Sequence, residues 1–206
     1  MGKIKINITA DTWIEKSKPT QRYGSDNTLE VNYKALTTSA EIVKRAIFSF
    51  NIPIELPSNI TSAKLYIFRY QGTGIVELHS LLQDFIESEA TWNNATTLIP
   101  WTTTGGGGNY DPNIIAISTS LIPSINTVDV FDIKQYLVNL PSGSPIMFLL
   151  KVFGEGTLTS IKYASFVSKN ATINNPFLNA DLYKPYIEII SNIGDCTTPT
   201  LSFILT

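Results

Sequence analysis

Polar and apolar side chains alternate through most of this chain, and this pattern constrains its fold more than any other feature. Near the start, three isoleucines lie on one side of an extended segment, Ile4, Ile6 and Ile8. Because successive side chains of a β-strand point to opposite faces, such alternation predicts strands rather than helices. The further predicted strands are residues 28–33, 47–50, 63–70, 75–78, 114–118, 127–131, 146–153, 158–166 and 183–190.

Turn signals separate the predicted strands. Runs rich in Gly, Pro and Asn stand between them, as at residues 71–74 and 140–143. Many short strands joined by regular turns are typical of β-sandwiches and barrels. Residues 132–140 predict one short helix with Asp132 as its N-cap, and residues 81–86 are a weaker candidate for a second. Both helices would cap the sheet structure.

The amino-acid composition limits the kinds of molecule that this chain is expected to bind. Charged residues make up only 16% of the chain, and the formal net charge is −2. Such a surface has no long-range attraction for nucleic acid or for anionic membranes. No segment is long and apolar enough for membrane insertion, and residues 1–9 lack the apolar core of a signal peptide. With one cysteine, Cys196, an internal disulfide is impossible.

Short signatures occur in a fixed order along the chain. They are Asp-Thr-Trp at 11–13, Arg-Tyr-Gly at 22–24, Arg-Ala-Ile-Phe-Ser-Phe at 45–50, Glu-Ser-Glu-Ala-Thr-Trp-Asn-Asn at 87–94 and Pro-Tyr-Ile-Glu-Ile at 185–189. Over roughly residues 8–190 this ordered set resembles the DNRLRE domain family, which includes disaggregatase-related repeats and a group of carbohydrate-binding modules. The resemblance implies an all-β, jelly-roll β-sandwich spanning residues 1–190, followed by a C-terminal extension, 191–206.

Residues with catalytic chemistry are sparse. His79 is the only histidine and lies in an alternating run, so a Ser-His-Asp site or a histidine-rich metal site has little support. Glu87 and Glu89 have the spacing of a glycosidase pair only if their segment is extended, and they belong to a signature turn. The glycines at 105–108 lack the Lys-Ser/Thr of a phosphate-binding loop and predict a turn. We expect no enzyme activity.

Basic residues and an aromatic ring gather near the N-terminus. Lys16, Lys18, Arg22, Tyr23 and Lys34 are the candidate carbohydrate-binding residues. If the strands on either side of this loop are neighbours, the cations crowd together there. Ammonium and guanidinium groups suit the carboxylates of uronic acids, and a ring can stack on a sugar. The alternative is a solvated loop rim without a ligand.

The C-terminal extension ends in an apolar run that predicts a strand. Leu201, Phe203, Ile204 and Leu205 are the candidate assembly residues, and Cys196 precedes them in a connector that could form an intermolecular disulfide. An exposed apolar strand tends to pair with a sheet edge, either in its own domain or in a neighbouring copy. Head-to-tail pairing of this kind propagates a fibre.

Two functions therefore compete. The first expectation is a non-catalytic structural protein of the extracellular space or of a cell or spore surface, whose partners are copies of itself in a fibre or outer layer. The alternative is a carbohydrate-binding module that recognises an acidic polysaccharide. No cofactor is expected, although Asp11, Asp26 and Asp111 are candidates by residue type for a structural calcium ion.

Overall fold

Eleven strands and one short helix form the described part of the chain. The computed structural model describes residues 2–34, 41–52, 56–57, 59–103, 106–118, 127–141, 143–158, 160–172 and 183–192. The elements are β1 (Gly2–Asn7), β2 (Ala10–Glu15), β3 (Thr28–Lys34), β4 (Ile42–Phe50), β5 (Ile60–Gln71), β6 (Val76–Leu81), β7 (Tyr110–Ile117), β8 (Thr127–Asp132), α1 (Lys134–Asn139), β9 (Ile146–Val152), β10 (Lys162–Val167) and β11 (Tyr186–Ser191). The all-β prediction is confirmed.

The strands form one curled antiparallel sheet. Its order is β1-β11-β5-β10-β3-β4-β9-β6-β7, with β2 beside β4 and β8 beside β5. One edge of β4 pairs with β2, while its other edge pairs first with β3 and then with β9. In the same way, β5 pairs with β8 on one edge and with β11 and then β10 on the other. The sheet therefore turns at these two long strands and closes on itself as a jelly-roll sandwich.

Large apolar side chains fill the space inside the curl. Phe48, Phe50 and Phe148 are fully buried, and the rings of Phe50 and Phe148 meet edge to face at 6.2 Å. Burying a side chain of this size contributes about 1.5–3 kcal/mol of hydrophobic free energy. Trp13 and Trp92 are each only 6% exposed, as expected for tryptophans in strand-edge signatures.

A buried salt bridge joins the neighbouring strands β5 and β8. Arg69 and Asp129 are both fully buried, with Nη2 to Oδ2 at 2.5 Å and Nε to Oδ1 at 3.0 Å. The guanidinium also donates to the carbonyl of Gly74 at 2.7 Å and lies 5.0 Å from the ring centroid of Phe166. Because every side of this cation is occupied, it fixes the relative position of the two strands and the turn after β5.

Only one of the two predicted helices forms. Residues 82–86 are irregular, because Leu81 still belongs to β6 and pairs with Tyr110, while Phe85 turns into the core at 7% exposed. The second predicted helix forms as α1, which buries Leu137 and packs against β5. The predicted N-cap is wrong by one residue: Ile133 is the N-cap, and Asp132 before it accepts a hydrogen bond from the backbone N–H of Lys134 at 3.0 Å.

Several predicted strands differ in extent from those observed: β4, predicted at 47–50, begins at Ile42, and β11, predicted from residue 183, begins at Tyr186. The strand predicted from residue 114 begins at 110, where β7 pairs with the end of β6. The strand predicted from residue 158 begins at 162, because a tight turn with backbone bonds Glu155 N–H to Val152 O and Thr157 N–H to Gly154 O precedes it. Among the described residues, no helix has the length and apolar character needed to cross a bilayer.

Candidate functional site

An aromatic stack lies where the N-terminal loop meets the sheet. The Trp13 ring on β2 is stacked against the ring of Tyr23, which comes from the loop between β2 and β3; the centroids are 3.5 Å apart and the planes differ by 18°. Lys44 Nζ of β4 lies 4.4 Å from the Trp13 centroid, and Trp13 Nε1–H donates to Asp26 Oδ2 at 3.0 Å. These contacts hold Tyr23 and Lys44 in place on a buried base.

A buried carboxylate fixes the other end of Tyr23. The hydroxyl of Tyr23 donates to Glu15 Oε2 at 2.8 Å, and Ser17 Oγ donates to Glu15 Oε1. Burial alone would raise the pKa of Glu15, but these hydrogen bonds and the charges of Lys44 and Lys18 hold that pKa below its usual value. Burial raises the pKa of Tyr23, and its bond to Glu15 raises it further. Glu15 therefore stays ionised and Tyr23 neutral at physiological pH.

Lys44 contacts this stack, and three more lysines lie on chain segments beside it; we call the four the lysine rim, Lys16, Lys18, Lys34 and Lys44. The backbone N–H of Lys16 donates to the carbonyl of Val43 at 2.9 Å. Lys34 is paired in the sheet register with Ile42, the residue before Val43. The chain segments of Lys16 and Lys34 thus flank the start of β4, about two strand spacings or ~10 Å apart. The expected neighbours β2 and β3 are not paired with each other, since β4 lies between them.

The lysine rim keeps an excess of positive charge. Lys16 Nζ lies 2.5 Å from Glu41 Oε2, and the hydrogen bond from Lys16 is the main reason why the pKa of Glu41 is lowered. Lys18 Nζ is 4.0 Å from Glu15, and its side chain is 64% exposed. Exposed pairs of this kind are weak, typically about 0–1 kcal/mol. Four lysines and three carboxylates, Glu15, Asp26 and Glu41, lie in this region, so it carries one excess positive charge in a chain of net charge −2.

A row of paired residues continues the site across four neighbouring strands. Tyr163 of β10 pairs with Asn32 of β3, Asn32 pairs with Lys44, and Lys44 pairs with Glu15. Directly opposed residues of antiparallel strands project from the same face. Tyr163 is 38% exposed, so its ring is available beside the lysine rim. Sequence reasoning missed Tyr163, although it alternates with the fully buried Ala164 within a strand.

The structure separates Arg22 from the other predicted binding residues. Its Nη2 group donates to Thr97 Oγ1 at 3.2 Å, in the long segment between β6 and β7. The positive charge of Arg22 also contributes to lowering the pKa of Glu89, whose main cause is the hydrogen bond from the backbone N–H of Thr97. Arg22 therefore joins two loops, whereas Tyr23 belongs to the aromatic stack and three of the predicted lysines belong to the rim.

Three signature residues and two residues after β10 form a loop clasp, made by Asp11, Gly24, Glu87, Lys169 and Asn170. Asn170 Nδ2–H donates to the carbonyl of Gly24 and to Glu87 Oε1, both at 2.8 Å, and Lys169 Nζ lies 2.9 Å from Glu87 Oε2. Asp11 accepts from the backbone N–H of Lys169 at 2.8 Å. A Cβ on Gly24 would lie 2.0 Å from the carbonyl oxygen of Glu87, so this position requires glycine. The clasp encloses a shallow groove of about 550 Å³ and ties three loops together.

The candidate calcium ligands do not meet. Asp11 is held by Ser168 and Lys169, Asp26 by Trp13, and Asp111 accepts from the side chain and backbone of Asn113. Within the described ranges, no group of three or more His, Cys, Asp or Glu residues is arranged to hold a metal ion.

The candidate catalytic histidine is part of the fold. His79 is 1% exposed, with Nδ1 at 2.9 Å from the carbonyl oxygen of Asp111 and Nε2 at 3.2 Å from Glu77 Oε1. This matches the interpretation of His79 as a strand-face side chain. The predicted assembly residues, Cys196, Leu201, Phe203, Ile204 and Leu205, lie outside the described residues.

Comparison with known families identifies the class of this chain. A family of carbohydrate-binding modules matches residues 2–104, a segment that contains β1 to β6 and all four lysines of the rim. The match covers 103 of the 206 residues, and the chain belongs to carbohydrate-binding module family 96. No curated protein matches the sequence.

Proposed function

We propose that this protein is a non-catalytic module that binds an acidic polysaccharide at the lysine rim. One observation carries the proposal: Lys44 lies over the Trp13–Tyr23 stack and three further lysines lie on adjoining chain segments, inside the segment that matches a carbohydrate-binding family. Ammonium groups pair with the carboxylates of uronic acids through charge-assisted hydrogen bonds. The exposed ring of Tyr163, two strands away from Lys44 in the paired row, adds an apolar surface for a sugar.

The rigid base of the rim favours binding. Tyr23 is held by the ring of Trp13 and by Glu15, so it loses little conformational freedom when a ligand arrives. The lysine side chains are flexible, and each exposed charge pair contributes little on its own. Affinity then comes from several simultaneous contacts along a polymer, which carries one carboxylate in each uronate unit.

The carboxylates considered for catalysis have other roles here. Glu87 is held by Lys169 and Asn170 in the loop clasp, and Glu89 accepts the backbone N–H of Thr97 at 2.7 Å. Glycoside hydrolysis needs one carboxylic acid with a raised pKa, yet the pKa of Glu89 is lowered. These contacts support a binding role without catalysis.

The family match also favours the carbohydrate-binding alternative over the fibre subunit that ranked first from sequence. The match falls on residues 2–104, whereas predicted self-association rests on residues 196–205. Acidic polysaccharides occur in extracellular matrices and on cell surfaces, and we propose that the protein works in that setting.

Binding to polyuronates tests the proposal. Isothermal titration calorimetry with polygalacturonate and alginate should detect binding, and a Lys18→Ala/Lys34→Ala variant should bind about three- to tenfold more weakly, since each exposed ion pair contributes up to ~1 kcal/mol. Raising the salt concentration to 0.5 M should weaken binding further, because exposed charges are then screened within a few ångströms.

A matched control separates the rim from total charge. Lys64 on β5 and Lys134 on α1 are exposed, and Lys64→Ala/Lys134→Ala removes two charges, as the rim variant does, while leaving the rim intact. This variant should bind like the wild type. The proposal is refuted if the wild type binds no polyuronate, or if the rim variant binds as tightly as the wild type.

A further inference from the structure

Three tight turns line the groove of the loop clasp. They are residues 23–26, 86–89 and 168–171, and in each the last backbone N–H donates to the first carbonyl, at 3.0, 2.9 and 3.1 Å. Hydrogen bonds between residues three apart are typical of such turns. The two central residues of each turn, together with one isoleucine, line the groove: Gly24, Ser25, Glu87, Ser88, Lys169, Asn170 and Ile86.

The tips of these turns are fixed relative to one another. Asn170 Nδ2–H reaches both other turns through its bonds to the Gly24 carbonyl and to Glu87. The turn of Ile86 is also held from behind, because its backbone N–H donates to the carbonyl of Ala95 at 3.1 Å. Loops that a β-scaffold holds in place often carry binding sites, and a preformed site loses little freedom when a ligand binds.

The polar groups of the groove keep hydrogen-bonding capacity for a ligand. Ser25 and Ser88 are exposed, and within the described part of the chain neither hydroxyl has a protein partner. Among the same residues, Lys169 Nζ uses two of its three donor sites, on Glu87 and on Asn170 Oδ1 at 3.1 Å. Each oxygen of Glu87 accepts one of the clasp bonds and has room for another. The groove therefore offers both donors and acceptors.

The charges at the groove disfavour an anion. Glu87 balances Lys169, and Asp11 lies behind them, where it accepts the backbone N–H of Lys169 at 2.8 Å. Burial raises the pKa of Asp11 to about 6, so at higher pH two carboxylates stand against one ammonium. The carboxylate of a uronic acid would be repelled here, whereas an uncharged hydroxyl group bonds to ammonium and carboxylate alike.

An apolar side chain completes the lining. Ile86 is 47% exposed and lies next to Glu87 at the groove. The ring of a sugar presents C–H groups on its face and hydroxyl groups at its edge, so one aliphatic side chain among hydrogen-bonding groups matches it. The volume of about 550 Å³ lies within the range of small-molecule sites, which also combine apolar contacts with a few polar groups.

We infer that the clasp groove is a second binding site, which takes an uncharged sugar unit. Its hydroxyl groups would bond to Glu87, Lys169 and the turn serines, while its C–H face lies against Ile86. This inference goes beyond the proposed function, because the ligand class differs from that of the lysine rim. It requires no single chain to occupy both sites.

Titrations with neutral oligosaccharides test the inference. Nuclear magnetic resonance spectra of the wild type would be recorded at pH 7.5 with cellohexaose, xylohexaose and mannohexaose. At least one of them should shift the backbone amide signals of Gly24, Ser88 and Asn170 and leave that of Lys44 unchanged. These signals locate the sugar at the groove and away from the rim.

Two groove variants and one matched control follow. Ile86→Ala should bind the sugar about three- to tenfold more weakly, since apolar contact area is lost. Ser25→Ala/Ser88→Ala should lose a similar factor of about three to ten through missing hydrogen bonds. Leu98→Ala shortens another exposed aliphatic side chain by the same three carbons, outside the groove lining, and should bind like the wild type. Thermal unfolding checks that all the variants are folded.

The outcomes separate this site from the rim. The inference is overturned if none of the three sugars binds, if the shifted signals lie outside the groove, or if Leu98→Ala loses as much affinity as Ile86→Ala. The rim variant Lys18→Ala/Lys34→Ala should keep its affinity for the neutral sugar within about twofold, because the two sites share no side chain. A larger loss in that variant also overturns the inference. Failure to bind polygalacturonate would reject the proposed function alone.

Discussion

At the scale of the residue, burial changes the chemistry of one signature aspartate. Asp11 is 1% exposed, and burial raises its pKa from 3.8 to about 6, although the hydrogen bonds from Lys169 and Ser168 oppose the shift. When the pH lies between the unfolded and the folded pKa, the folded protein holds a proton on this acid and the unfolded chain does not. Its contribution to stability therefore falls as the pH rises through that range.

The variant Asp11→Asn tests this linkage. Between pH 7 and pH 5, the free energy of unfolding of the wild type should increase by about 1 kcal/mol relative to the variant, as the buried carboxyl takes up its proton. Glu15, Glu41 and Glu89 have pKa values below 4.5, so stability from them is lost only in more acidic solution and they do not contribute in this window. Urea titrations at the two pH values measure the difference. Equal pH dependence in both proteins would contradict the prediction.

At the scale of the element, the pair Arg69–Asp129 joins two strands that are far apart in sequence. Asp129→Ala should lower the free energy of unfolding by about 3–5 kcal/mol, because the guanidinium would remain buried without its carboxylate. Chemical denaturation followed by tryptophan fluorescence measures the loss. The matched control is Glu188→Ala, which breaks the exposed pair with Lys3 and should cost no more than about 1 kcal/mol. Similar losses in the two variants would show that the core pair does not hold β5 to β8.

At the scale of the whole molecule, the loop clasp connects three loops from distant parts of the chain. Gly24→Ala should destabilise the protein by about 1–3 kcal/mol, since its Cβ would meet the Glu87 carbonyl oxygen at 2.0 Å and push the loops apart. Gly143→Asn is the control, because a Cβ there meets nothing within 4 Å and Asn tolerates the φ of 77°. Thermal unfolding compares the two. A Gly24→Ala variant as stable as the control would mean that the clasp yields at little cost.

The sequence by itself determined the local properties of this protein. Alternation predicted most of the strands, because residues two apart in a strand lie on the same face of the sheet. It also predicted that Trp13 and Trp92 are buried and that His79 is a strand-face side chain, which the structure confirms. Part of the candidate site followed in the same way, since Lys16, Lys18 and Tyr23 are neighbours along the chain.

Only the tertiary structure decided the rest of the site. Lys34 joins the rim because β4 passes between β2 and β3, and Tyr163 reaches it through a pairing across 131 positions of sequence with Asn32. Arg22, although adjacent to Tyr23, is turned toward Thr97 by the long segment between β6 and β7. Strand pairing and the curl of the sheet are non-local and depend on packing of the whole core, whereas alternation shows only which residues of a single strand share a face.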